Sequence, residues 1–100
     1  MDEEYYKKRL QELRGDREKE EGRLEKEEGR LDKFEALLNK WKPGDDVDDK
    51  ADWKRQRDEA KDDIREIRAH IREIEVRMEK FEAERRELHR SIPHAVGLMI

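Results

Sequence analysis

The sequence predicts an all-α fold: a long antiparallel two-helix coiled-coil hairpin with a short non-helical C-terminal tail. Three observations carry that expectation. Charged residues make up 54% of the chain and hydrophobic ones 32%, too polar a balance for a compact globule but one that long helices or disordered chains tolerate. The apolar residues recur at alternating spacings of three and four, an order that disorder has no reason to keep. One break, Pro43-Gly44, divides the chain into two such segments.

The first helix is expected over residues 3–41. With Leu10, Leu24, Leu31 and Leu38 at heptad position a, position d holds Tyr6, Leu13, Glu20, Glu27, Phe34 and Trp41. Arg17, Glu20 and Glu27 place charge on the seam. A seam between two helices is only partly covered, so both glutamates are expected to extend along it and keep their carboxylates in water. Asp2, Glu3 and Glu4 set negative charge at the N-terminus, the sign the helix dipole favours. The heptad EEGRLEK is followed at once by EEGRLDK, so Gly22 and Gly29 recur in step with Gly15. All three fall at the outward position f, and Ala36 continues the row. That stripe of small residues is either a residue of heptad duplication or a surface that lets another helix approach closely.

The acidic bend is expected over 42–48, with the aspartates at 45, 46, 48 and 49 supplying the cap and first turn of the second helix. Trp41 and Trp53 are expected to close the seam beside it. The second helix, 49–92, carries Ile64, Ile71 and Met78 at a, and Ile67, Ile74 and Phe81 at d, without a polar interruption. Arg85, Arg86, His89 and Arg90 suit its C-terminal turns, and Pro93 is expected to stop it. Residues 1–92 thus form one hairpin domain and 93–100 an apolar tail. Each helix spans roughly 60 to 65 Å, and so short a connection forces them antiparallel.

The formal net charge of −4 resides in the bend, because the two arms are near-neutral mixtures of both signs. Nucleic-acid binding, which needs a basic face or stripe, is not expected. There is no cysteine, so there is neither a disulfide nor a thiol nucleophile, and the compartment is left open. The acidic N-terminus offers no cleavable signal peptide, and the longest apolar run is too short to span a bilayer. A soluble protein is expected. The aspartates of the bend lack the glycine and glutamate spacing of an EF-hand, and His70, His89 and His94 lack paired ligand spacing. No cofactor, metal or catalytic residue is expected, and the chain is not read as an enzyme.

The length, the hairpin and the bend Trp41-Lys42-Pro43-Gly44 resemble small helical hairpins exported by type VII secretion systems, which carry Trp-x-Gly in the bend and are usually dimers. The bend has one residue too many, and no Tyr-x-x-x-Asp/Glu signal follows the second helix. That resemblance implies a small secreted hairpin as the alternative function. The residues themselves point first to a structural or interaction protein that docks a larger assembly, such as a phage particle, or docks itself. Its expected contact residues are Ile64, Ile67, Ile71, Ile74, Met78 and Phe81 on the second helix. The uncharged tail adds Val96, Leu98, Met99 and Ile100, an apolar group that left in water would form a contact patch. The chain is also readable as the front part of something longer, with the tail beginning a next domain.

Overall fold

The computed structural model describes the backbone of residues 2–99 and the side chains of residues 2–90. Helix α1 is Glu3–Lys40 and helix α2 is Val47–Met99. The fold is an all-α helical hairpin, as the heptads predict. Its contacts group into two compact units: one joins Met1–Glu18 to Ile71–Ile100, and the other is Lys19–His70.

The first unit holds the tighter core. Leu10, Leu13, Ile74 and Met78 pack as one buried cluster, with Phe81 against it. Tyr6 is also buried, and its ring tilts against Phe81 at 6.2 Å between centroids. Arg9 lies over the same Phe81 ring at 5.7 Å, covering apolar surface with its stem while its charge stays wet. Asp2 caps α1: its Oδ1 accepts a hydrogen bond from the Tyr5 N–H at 3.0 Å.

The second unit contains the bend. On α2, Ala60, Ile64 and Ile67 are buried. On α1, Leu24, Leu31, Phe34 and Leu38 are only half-buried. All of these occupy a or d positions, so the seam follows the sequence pattern. Asp46 caps α2, its Oδ1 accepting from the Asp48 N–H at 2.8 Å. Lys42 and Asp45 close the turn twice: the Lys42 N–H donates to the Asp45 carboxylate, and the Asp45 N–H donates to the Lys42 carbonyl, both at 2.9 Å. Gly44 between them has φ of +106°, a conformation that a Cβ opposes. Gly44→Ala is expected to cost about 1 to 2 kcal/mol, read as a lower melting temperature without loss of helix at 25 °C.

Trp41 and Trp53 flank the bend half-buried. Trp41 donates its indole N–H to the Asp46 carbonyl at 3.1 Å, and the Lys50 ammonium sits 4.0 Å from its ring centroid. The aromatic therefore fastens the bend to the first turn of α2 as well as closing the seam.

Two expectations need correction. α2 begins at Val47 and runs past Pro93 to Met99, so residues 93–99 are helical backbone rather than a non-helical tail. Proline's fixed φ is itself helical; its missing N–H and the clash of its ring with the carbonyl four residues back weaken or kink a helix but do not always end it. Glu20 does not keep its carboxylate in water: it is 8% exposed. Partners along and across the seam replace the water it was expected to reach.

Candidate interaction surface

Each side of the second unit is a strip between α1 and α2, and the two sides differ. One side is closed by polar contacts. Arg30 lies beside the seam and reaches across to α2, donating to Glu59 at 2.9 Å and to Gln56, with Asp63 at 3.6 Å. The same guanidinium binds Glu27 on its own helix at 3.2 Å. Burial works against the charge, but Glu59 and Glu27 outweigh it and hold Arg30 above its ordinary pKa. On the same side, both Glu20 carboxylate oxygens accept from Arg23, at 3.0 and 3.1 Å, and Oε2 also lies 3.5 Å from His70 Nδ1. Glu27, the other seam carboxylate, is thus also paired rather than left to water.

Burial pushes the Glu20 pKa up, but the hydrogen bonds from Arg23 and His70 prevail and hold it below its ordinary 4.5. In the first unit, the hydrogen bond from Arg85 holds Glu3 below the same value, with His89 also paired to it at 2.8 Å. A carboxyl whose folded pKa is depressed stabilises the fold above its unfolded value and stops doing so as pH falls through the folded one. The melting temperature is therefore expected to hold above about pH 5 and to fall as acid is added below it. Glu20→Gln should flatten part of that fall in a circular-dichroism pH series.

The opposite side of the second unit is open. A groove of about 490 Å³ runs between the helices, with Leu31 and Ile64 on its floor. Its α1 edge is Glu28 and Asp32, and its α2 edge is Lys61, Arg65 and Arg68. One ion pair crosses it, Arg68 to Glu28 at 3.6 Å, between side chains 65% and 47% exposed. Such a pair contributes at most about 1 kcal/mol.

The predicted contact residues on α2 divide between the two units. Ile74 and Met78 are buried in the first, with Ile71 and Phe81 half-buried there; Ile64 and Ile67 are buried in the second. Their own chain covers the buried four, so α2 presents no continuous free isoleucine face. Val96, Leu98, Met99 and Ile100 lie outside the described side chains. Gly15, Gly22, Gly29 and Ala36 are exposed, and a Cβ built on any of the three glycines meets nothing within 4 Å. The chain's own packing does not require those glycines. Among the described residues, no group of three His, Asp or Glu side chains could hold a metal, and no helix is long and apolar enough to cross a membrane.

Arg30 and the open groove could have been found from the heptads. A flanking arginine reads as surface until the antiparallel alignment places Glu59 and Asp63 opposite it. Comparison with protein-family models, curated proteins and solved structures finds no match.

Proposed function

We propose that this protein acts by binding: it is a non-enzymatic structural or interaction protein, a helical hairpin that docks a protein partner, a larger assembly or itself. One observation carries the reading. In the second unit the apolar α1 residues of the seam, Leu24, Leu31, Phe34 and Leu38, all stay half-buried, although α2 opposite buries Ala60, Ile64 and Ile67. Two helices alone leave that row partly wet, and a further protein surface would complete its burial. The apolar composition of Val96, Leu98, Met99 and Ile100 adds a second docking element in the same sense.

Affinity capture with the full chain, and with a chain lacking residues 94–100, tests the reading. The full chain is expected to retain a discrete protein or a second copy of itself. The shortened chain should keep its helicity and lose a partner that the tail holds. Failure of the full chain both to self-associate and to retain any protein would overturn the proposal, as would turnover of a substrate by the isolated chain. Release of the intact chain into culture medium would instead favour the secreted-hairpin alternative.

A further inference from the structure

The open side of the second unit carries charge sorted by helix. On α1, the positions facing that side are Glu21, Glu25, Glu28, Asp32 and Glu35, all acidic, followed by Asn39. On α2 they include Lys54, Lys61, Arg65 and Arg68. Asp58 is the exception, and its carboxylate is taken up by the neighbouring Arg57 at 3.1 Å. An acidic rim and a basic rim therefore run side by side, with the groove floored by Leu31 and Ile64 between them.

Pairing within the chain accounts for only part of this order. Glu28 and Arg68 flank the seam and meet across it. Glu25, Asp32, Lys61 and Arg65 pair with none of the described residues, yet their signs follow the same division.

We propose that two copies of the chain pair through this face, second unit on second unit, and this rests on the binding function proposed above. A two-fold axis parallel to the helices lays α1 of each copy over α2 of the other. The acidic rim then covers a basic rim twice, and Leu31 and Ile64 of the two grooves close on each other. An axis across the helices would set acid over acid, so the charge order selects one arrangement. The result is a four-helix arrangement in which every neighbouring helix is antiparallel. The other side of the unit is a poorer choice, because Arg30 and the Glu20–Arg23–His70 contacts already close it.

Molar mass by light scattering from about 1 to about 200 µM tests the pairing. The native chain is expected to form a dimer that weakens as salt is raised from about 50 to about 500 mM. Glu25→Lys with Asp32→Lys puts two lysines in the acidic rim, facing the basic rim of the other copy. Lys61→Glu with Arg65→Glu puts two glutamates in the basic rim, facing the acidic rim of the other copy. Each variant alone should dimerise more than about tenfold more weakly, and an equimolar mixture should recover a dimer. Lys19→Glu with Lys26→Glu, on the closed side, should leave the dimer intact. Helicity by circular dichroism shows that the variants fold, and the neutral pair Glu25→Gln, Asp32→Asn gives a milder version of the first change. A native chain that stays monomeric, rim variants that dimerise as tightly as the native chain, or a mixture that stays monomeric would each overturn the proposal. A monomer that still retains another protein in the capture experiment would leave the binding function standing.

Discussion

Ile67→Asp is expected to unfold the hairpin or lower its stability by more than about 3 kcal/mol, the largest effect of any single change considered. Ile67 is 3% exposed and sits beside Glu20, Arg23 and His70. A carboxylate there loses its water and stands next to a carboxylate whose hydrogen bonds are already made. Like charge and desolvation act in the same direction. Small domains have only about 5 to 15 kcal/mol to lose, so a cost of this size is visible as lost helicity at 25 °C. Two controls separate charge from volume and position. Ile67→Val should cost about 1 kcal/mol, and Val76→Asp, at a site 57% exposed, should stay within about 0.5 kcal/mol. An Ile67→Asp chain that melts like the native one would disprove the burial of this seam position.

Replacing Gly15, Gly22 and Gly29 together by alanine should stabilise the chain by about 2 to 3 kcal/mol. Each glycine lies inside α1, where it raises the entropy lost on folding and adds no packing. Nothing occupies the space its Cβ would enter, so no clash offsets the gain. The three sites are two turns apart and share no partner, which makes their contributions additive to within a few tenths of a kcal/mol. Urea denaturation of the single and triple variants measures the sum directly. An unchanged or lowered midpoint would show that the outer face of α1 does something its own fold does not reveal. The open groove lies elsewhere, so this result and the pairing experiment are independent.

The seam was legible because almost everything else in the chain is charged. Tyr6, Leu10, Leu13, Ala60, Ile64, Ile67, Ile74 and Met78 are all buried and all occupy a or d positions. The degree of burial was less readable, since a heptad assigns Ile71 and Ile74 alike while the structure half-buries the first and buries the second. The pairing of Glu20 was hidden for a different reason. Its partner Arg23 lies one turn away in sequence, but His70 becomes a neighbour only once the antiparallel alignment is known. Charge counted by arm conceals the rims altogether: acids on one side of α1 cancel lysines on the other, and the arm appears neutral. Pro93 misled because a missing N–H argues for an end, whereas its φ does not.

The bend has one more consequence. EEGRLEK and EEGRLDK are so alike that, slid by seven residues, this middle stretch of α1 would present nearly the same side chains. Glu27 and Arg30 would stand where Glu20 and Arg23 now meet His70, but Arg17 and Glu20 would take the places of Leu10 and Leu13 in the buried cluster. Such a slip moves α1 by about 10.5 Å and would have to be absorbed by the connection. The six residues from Trp41 to Asp46 have no slack for it: Asp46 caps α2, Lys42 and Asp45 are bonded both ways, and Trp41 is tied to the Asp46 carbonyl. The register that the repeated heptads leave open is thus held at two places, the bend and the buried Leu10–Leu13 cluster. A flexible insertion after Gly44 would remove the first of these and leave the buried cluster alone to set the alignment.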